Sequence, residues 1–229
     1  MSDPLALGSL ETAAAGGGPA GRGWVLRFDA VERAAHWANA SLFLVLVATA
    51  LPLYFPAVEA VVGRRALVAD VHTWCGVALP VPLALALAGP WGARLRRDLR
   101  RMNRWGADEL RWLRSAGTRP VAHADKFNPG QKLFAAFTAG SILVMLASGA
   151  VLRWFRPFPL GFRTGATFVH DVLATAIVVA IVGHVLVALA HPSSLRSMVT
   201  GRVSTGWARR HAPAWLEEQQ RDAYAAGRP

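Results

Sequence analysis

Four long apolar runs, separated by polar connections, form the main hydrophobic pattern of this chain. A run of about 20 apolar residues is long enough to cross the roughly 30 Å hydrocarbon core of a bilayer as a helix. The pattern therefore predicts an all-α membrane protein, folded as a four-transmembrane-helix bundle. The runs occupy residues 34–58, 71–93, 133–152 and 172–195.

Polar segments divide the chain around these runs. Residues 1–23 are rich in Ala, Gly and Pro and lack the basic start and apolar core of a secretory signal, so we expect a disordered N-terminal tail. Residues 24–195 form the predicted membrane domain, and residues 196–229 a basic tail along the membrane surface. The polar loop of residues 94–132 suggests an interfacial helix over residues 99–113. Pro80, Pro82 and Pro90 predict a kink in the second helix.

The basic residues are distributed unevenly over the connections. Of the 25 Lys and Arg residues, 20 lie before the first run, between the second and third runs, or after the fourth. The positive-inside rule therefore predicts that both termini are cytoplasmic. Topology accounts for the net charge of +11, so no nucleic-acid partner is expected. The single Cys75 excludes an intramolecular disulfide and a covalent haem motif.

Two histidines interrupt the fourth apolar run. His170 and His184 lie fourteen residues apart. On an α-helix this separation gives a rise of about 21 Å and a turn of about 1400°, roughly 40° short of four full turns. Both imidazoles therefore face nearly the same side of the helix, near opposite surfaces of the membrane. Imidazoles in hydrocarbon are costly and usually turn towards a partner or cofactor inside the bundle.

His36 and His72 provide partners at matching depths. With cytoplasmic termini, His36 and His184 fall at the cytoplasmic level, whereas His72 and His170 fall at the periplasmic level. Two haems, each held by two axial imidazoles, require this arrangement, and six-coordinate iron favours electron transfer. The alternatives are histidines that serve packing, or a non-haem four-helix transporter whose histidines bind a metal ion or relay protons.

Three other histidines are expected to lie outside these pairs. His191 follows His184 by one heptad and is a rival cytoplasmic ligand, but its position near the helix end favours a surface role. His123 and His211 stand in basic, polar surroundings, and we expect both to be solvated.

A resemblance to a known family is carried by four segments and by the paired histidines of the fourth helix. Together they resemble the cytochrome b (gamma) subunit of membrane-bound formate dehydrogenases, within the bacterial di-haem cytochromes b. The resemblance covers about residues 27–215 and implies two b-type haems, one ligated by His72 and His170 and the other by His36 and His184. The segments are RFDAVERAAHW (27–37), DVHTWCG (70–76), KFNPGQK (126–132) and MVTGRVSTGWARRHAPAW (198–215).

The resemblance also implies a quinone site in the KFNPGQK turn, beside the cytoplasmic haem and His184. The turn offers Asn128, Gly130 and Gln131. Asn and Gln side chains can hydrogen-bond to a quinone carbonyl, and glycine permits close approach of the backbone. An ordinary cap on the third helix is the alternative interpretation, because Asn-Pro is a common helix start.

The implied function is that of a membrane anchor and electron-transfer subunit in the bacterial inner membrane. A molybdenum or tungsten catalytic (alpha) subunit would oxidise formate in the periplasm, and an iron-sulfur (beta) subunit would pass the electrons to this chain. The acceptor would be menaquinone or ubiquinone. This chain has no cysteine cluster or soluble domain for formate oxidation itself. The alternative partners are a hydrogenase, a thiosulfate reductase or another molybdoenzyme.

Overall fold

The computed structural model describes residues 23–115 and 124–227, so residues 1–22 of the predicted N-terminal tail lie outside it. The described part contains four helical spans that are long and apolar enough to cross a membrane, which confirms the predicted fold. In chain order the elements are β1 (Trp24–Leu26), α1 (Ala30–Tyr54), α2 (Pro56–Val62), α3 (Arg65–Ala78), α4 (Val81–Ala88), α5 (Ala93–Met102), α6 (Ala107–Arg114), α7 (Pro129–Arg153), α8 (Leu160–Ala190), α9 (Pro192–Thr200), β2 (Arg202–Ser204), α10 (Thr205–His211) and α11 (Pro213–Ala225).

The four spans pack as two helical pairs. In the first pair, α1 packs against α3 and α4, and in the second, α7 packs against α8. Contact between α3 and α7 joins the two pairs. Many large apolar side chains on the spans are exposed, among them Leu44, Leu143 and Val179. Such a surface is covered by lipid in a membrane protein, because exposing so large a contiguous apolar area to water would be energetically unfavourable.

Helices α3 and α4 form one span with an interruption. The interruption lies at Leu79 and Pro80, and a short 3₁₀ turn at Pro90–Gly92 follows α4. Proline lacks an N–H group and its ring crowds the preceding turn, which weakens a helix at that point, although α1 continues through Pro52. The interruption falls at Pro80, the first of the three prolines that predicted a kink in the second helix.

Several helix boundaries differ from those that the apolar runs predicted. Helix α3 begins at Arg65 and α8 at Leu160, so His72 and His170 lie two to three turns inside their helices instead of at the helix starts. The predicted single helix over residues 99–113 is instead two helices, α5 and α6. Hydropathy marks the edge of the hydrocarbon layer, whereas Arg and other straight-chain residues continue a helix beyond it.

The C-terminal tail folds back onto the segment that precedes α1. Strands β1 and β2 pair in antiparallel fashion, with Val25 opposite Val203. Gly201 makes the connection possible: its φ is +80°, and a Cβ atom there would lie 2.5 Å from the carbonyl oxygen of Phe28. A small apolar core stabilises the tail, so it does more than lie along a surface. Its buried members are Val203, Ala208, Ala212, Trp215 and Leu216.

Helices α5, α6 and α9 to α11 share one end of the bundle with the segment that precedes α1. We call this the basic end, because most Lys and Arg residues flank it. The other end, with α2 and the connection from α7 to α8, is called the opposite end. The position of each functional side chain along the spans can be described relative to these two ends.

Candidate functional site

The four histidines predicted to be ligands lie in two pairs, and α8 contributes one member to each. At the basic end, the ring centres of His36 on α1 and His184 on α8 are 6.4 Å apart, with the ring planes at 52°. Towards the opposite end, the ring centres of His72 on α3 and His170 on α8 are also 6.4 Å apart, with the planes at 60°. The structure thus brings all four together as two separate two-imidazole sets.

The ring separation can be compared with what a shared metal ion requires. A metal-to-imidazole-nitrogen bond is about 2 Å long, and the nitrogen lies roughly 1.2 Å from its ring centre. Two imidazoles on opposite sides of one ion would therefore have ring centres about 6.4 Å apart. Both pairs have this separation. The donor set of each pair fits the two axial positions of a haem iron.

Each histidine of the pair nearer the opposite end contacts a hydroxyl group. His72 Nδ1 lies 2.9 Å from Thr49 Oγ1 of α1, and His170 Nδ1 lies 2.9 Å from Ser148 Oγ of α7. Neither hydroxyl was predicted to be a site residue. The only signal for them in the sequence is a hydroxyl within an otherwise apolar run, a pattern that ordinary helix residues also produce.

Gly149 lets the His170 ring lie against α7. A Cβ atom at Gly149 would be 3.4 Å from His170 Cε1, at the short limit of ordinary van der Waals contact. A side chain larger than alanine would therefore crowd the imidazole. The close approach of α7 and α8 at this glycine is the packing role expected of small residues in membrane helices.

Aromatic rings enclose the histidine pair at the basic end. The ring of Phe134 on α7 stacks on His184 with centres 4.7 Å apart and planes at 9°. The ring of Trp37 is perpendicular to that of His36, with the ring centres 5.2 Å apart, and Trp37 Nε1 donates a hydrogen bond to the carbonyl oxygen of Met198. His36 Nδ1 is buried and has no hydrogen-bond partner among residues 23–115 and 124–227. Phe134 was also missed from the sequence, because aromatic residues in apolar runs are common.

The KFNPGQK turn forms a reciprocal cap on α7. Asn128 Oδ1 accepts a hydrogen bond from the Gln131 backbone N–H at 2.9 Å, and Gln131 Oε1 accepts one from the Asn128 backbone N–H at 3.0 Å. The two side-chain oxygens are therefore used by the helix. Both side chains are exposed, so their amide N–H groups are available as donors. Gly130 allows Trp112 to pack closely, since a Cβ atom would be 3.2 Å from that ring.

A buried ionic cluster lies directly before this turn. The Lys126 ammonium group contacts the carboxylate of Asp98 on α5, and it lies 3.4 Å from that of Glu32 on α1. Arg27 donates a hydrogen bond to the Lys126 carbonyl oxygen at 3.2 Å. Burial lowers the pKa of Arg27 to about 10, so this side chain is still charged at neutral pH. The cluster fixes the start of α1, α5 and the turn relative to one another.

Arg101 connects this cluster to the C-terminal helix. It donates hydrogen bonds to Asp125 at 2.8 Å and to Glu218 of α11 at 2.5 Å. The hydrogen bond from Arg101 holds the pKa of the Glu218 carboxyl below its usual value. The ion pair is therefore complete at neutral pH and is lost only as the pH falls through that lowered pKa.

The remaining histidines lie apart from the two pairs, or outside the described residues. His191 is exposed at the junction of α8 and α9, and its Nδ1 lies 2.9 Å from the carbonyl oxygen of Val187. His211 is exposed and stacks on Trp207. His123 lies outside the described residues.

Comparison with known proteins covers most of the chain. A family model described as prokaryotic cytochrome b561 matches residues 27–201. The cytochrome b556(fdo) subunit of formate dehydrogenase from Escherichia coli K12 is 28% identical over 209 residues, which cover 86% of this chain and 94% of that protein. The nitrate-inducible cytochrome b556(Fdn) subunit from the same strain is 24% identical over 204 residues, or 85% of this chain and 91% of that protein. The formate dehydrogenase cytochrome b556 subunit of Haemophilus influenzae is 22% identical over 204 residues, or 85% and 83%.

These matches confirm the family resemblance predicted from the sequence motifs. A cytochrome b family implies a b-type haem as the prosthetic group. Because the family model matches most of its length, the chain belongs to the prokaryotic cytochrome b561 family.

Proposed function

We propose that this chain is the membrane anchor and electron-transfer subunit of a formate dehydrogenase complex, and that it passes electrons through two b-type haems to a quinone. The observation that carries the proposal is the presence of two imidazole pairs with the same 6.4 Å separation, both using α8. The names of the relatives, cytochrome b556 subunits of formate dehydrogenases, support the choice of complex. The proposed partners are an iron-sulfur (beta) subunit and a molybdenum or tungsten catalytic (alpha) subunit.

In this proposal, His72 and His170 hold one haem, and His36 and His184 hold the other. When bound, a haem held by two of these imidazoles would supply one-electron transfer. The role of α8 is to hold His170 and His184 at a fixed separation of about 21 Å along one rigid helix. Gly149 and Phe134 fix the orientations of these two rings from the side of α7.

The distribution of charge sets the proposed orientation in the bacterial inner membrane. The connections at the basic end contain 20 of the 25 Lys and Arg residues, and short loops of this kind stay in the cytoplasm. The basic end, with both termini, then faces the cytoplasm, and the opposite end faces the periplasm. The catalytic and iron-sulfur subunits dock at the opposite end, and electrons travel inward.

The quinone, menaquinone or ubiquinone, binds at the turn that contains Asn128, Gly130 and Gln131. The cap uses the two side-chain oxygens and leaves the amide N–H groups as donors for a quinone carbonyl. Phe134, one helical turn after Gly130, stacks on His184 and so connects the turn to the nearer histidine pair. Protons for quinone reduction enter from the cytoplasm.

The proposed function can be tested on membranes that contain the intact complex. Formate is expected to reduce the b-type haem absorption bands, and added quinone to reoxidise them. The reduction should fail with hydrogen as the electron donor, which separates this function from that of a hydrogenase subunit. A protein purified with hydrogenase or thiosulfate reductase subunits, or one without b-type haem, would refute the proposal.

Substitutions that keep the cap but remove the amide donors test the quinone turn. Asp and Glu preserve a reciprocal cap, because their oxygens accept the same backbone hydrogen bonds. We therefore expect Asn128→Asp and Gln131→Glu to fold normally and to slow quinone-dependent reoxidation of the haems about tenfold or more, the result of losing one well-placed hydrogen bond. Stopped-flow absorption after reduction by formate measures the rate.

Asn128→Ala is the matched control that distinguishes the capping role of the turn from quinone binding. Asn128→Ala removes both the cap acceptor and the donor, so it should also lower thermal stability by about 1 kcal/mol. If Asn128→Asp and Gln131→Glu reoxidise at the rate of the unaltered protein, the turn is a cap only.

A further inference from the structure

We propose that Thr49 and Ser148 are positioning residues: they fix the tautomers of His72 and His170 and lower the reduction potential of the haem held by that pair. The proposal rests on the haem ligation assigned to these histidines above. It adds two side chains from α1 and α7 that do not touch the iron, and it assigns them an effect on one haem and not on the other.

The direction of the hydrogen bond at Thr49 follows from its other contacts. Thr49 Oγ1 lies 2.7 Å from the carbonyl oxygen of Val45 and 3.1 Å from that of Leu46. Carbonyl oxygens only accept hydrogen bonds, so the single hydroxyl hydrogen of Thr49 points to its own helix. Oγ1 therefore accepts the hydrogen bond from His72 Nδ1 at 2.9 Å.

Ser148 repeats the arrangement on the other helical pair. Its Oγ donates to the carbonyl oxygen of Val144 at 2.8 Å, with that of Met145 at 3.3 Å, and it lies 2.9 Å from His170 Nδ1. In both cases the hydroxyl is on the helix adjacent to the one that carries the histidine. The same arrangement therefore occurs twice, once for each histidine of this pair.

Two consequences follow for the imidazoles. A hydrogen on Nδ1 leaves Nε2 with its lone pair, which is the form of histidine that binds a metal. A hydrogen bond donated from Nδ1 also makes the ring a stronger electron donor to the metal. A more electron-rich axial ligand favours ferric over ferrous iron, so it lowers the reduction potential.

The basic-end pair lacks this arrangement among the described residues. His36 Nδ1 is buried without a hydrogen-bond partner there. The neighbour that stacks on His184 is the apolar ring of Phe134. The haem held by His72 and His170 should therefore have the lower potential. Electrons that enter near the opposite end would then move downhill towards the basic end and the quinone turn.

The test uses Thr49→Val and Ser148→Ala in the full-length, haem-loaded protein, with potentiometric titration followed by visible absorption. Each variant is expected to raise the midpoint potential of one haem and leave the other unchanged. Thr49→Ser keeps the hydroxyl and should restore the original value. Thr175→Val is the matched control, because the exposed Thr175 hydroxyl also donates to its own helix, at Asp171 O, and it should shift neither haem.

Combining Thr49→Val with a variant that lacks one haem shows which haem has the shifted potential. In a His36→Ala background, the remaining haem is the one held by His72 and His170, and Thr49→Val should still raise its potential. In a His72→Ala background it should change nothing. If Thr49→Val loses the haem held by His72 and His170, retention of that haem in Thr49→Ser supports the positioning role. The shift in potential is then measured in Ser148→Ala.

Two different failures can be distinguished. Unchanged potentials in both Thr49→Val and Ser148→Ala, with two haems bound, would overturn the inference and leave the proposed function intact. An equal shift in Thr175→Val would overturn it as well. A chain that binds no b-type haem would instead refute the proposed function.

Discussion

Replacement of His184 by alanine is expected to remove one of the two proposed b-type haems and to leave the other reducible. His184 and His36 form a two-imidazole set at the basic end, and a single remaining imidazole would hold the haem much more weakly. His170→Ala should remove the other haem by the same reasoning. Because α8 supplies one ligand to each pair, the double substitution of His170 and His184 should remove both. Haem extracted per polypeptide from purified protein measures the loss.

His191→Ala is the matched control for this experiment. His191 lies one heptad after His184 at the end of the same helix, but it is exposed and its Nδ1 contacts the carbonyl oxygen of Val187. The variant should retain both haems. Loss of a haem in His191→Ala, with both retained in His184→Ala, would show that the ligand at the basic end has been assigned to the wrong histidine.

The two-pair arrangement could be predicted because it depends on quantities that the sequence contains. Helical spacing puts His170 and His184 on one face, and the alternation of spans puts His36 and His72 at matching depths. Depth along a span changes little when a helix boundary moves. The pairs therefore lie where the sequence predicted, although α3 and α8 begin earlier than their apolar runs indicated.

Thr49 and Ser148 could not be predicted in the same way. A threonine or serine in an apolar helix usually bonds to its own backbone, and both residues do so here. Their second contact, to a histidine on a neighbouring helix, depends on the rotation of one helix against the other. That rotation is set by close packing at positions such as Gly149, which a single sequence does not reveal.

The turn proposed to bind quinone could be interpreted from the sequence in two ways. A cap on α7 and a quinone site would use the same residues, Asn128 and Gln131, so the sequence pattern fits both interpretations. The structure assigns the oxygens of these side chains to the cap. The two roles are compatible because each amide group has separate donor and acceptor atoms. Only a substitution that changes the donor alone can distinguish them.

The Lys126 cluster also shows why part of the basic end was not foreseen. The sequence placed Lys126 in a polar loop, but it is only 4% exposed. It lies between the carboxylates of Asp98 and Glu32, and its ammonium group sits 4.6 Å from the centre of the Phe28 ring. A charge is buried in this way only when its partners are buried with it. The loop, α1 and α5 therefore depend on one another for stability.

Lys126→Met is expected to destabilise the protein by about 3–5 kcal/mol, since it removes the nearest cation from the buried side chains of Asp98 and Glu32 and leaves Asp98 only the more distant Arg101, at 3.8 Å. Thermal unfolding of the purified protein in detergent measures the loss. Exposed Arg65, paired with Glu59 at 2.7 Å, provides the matched control, and Arg65→Met should cost no more than about 1 kcal/mol.

Adding Asp98→Asn to Lys126→Met should recover part of the lost stability, because one of the carboxylates that had lost its nearest cation is then removed. If Lys126→Met melts like Arg65→Met, the cluster contributes no more than a surface ion pair.

The cluster directly precedes the turn but is remote from His72 and His170. Lys126→Met should therefore slow quinone-dependent reoxidation while the haem held by His72 and His170 is still reduced by formate.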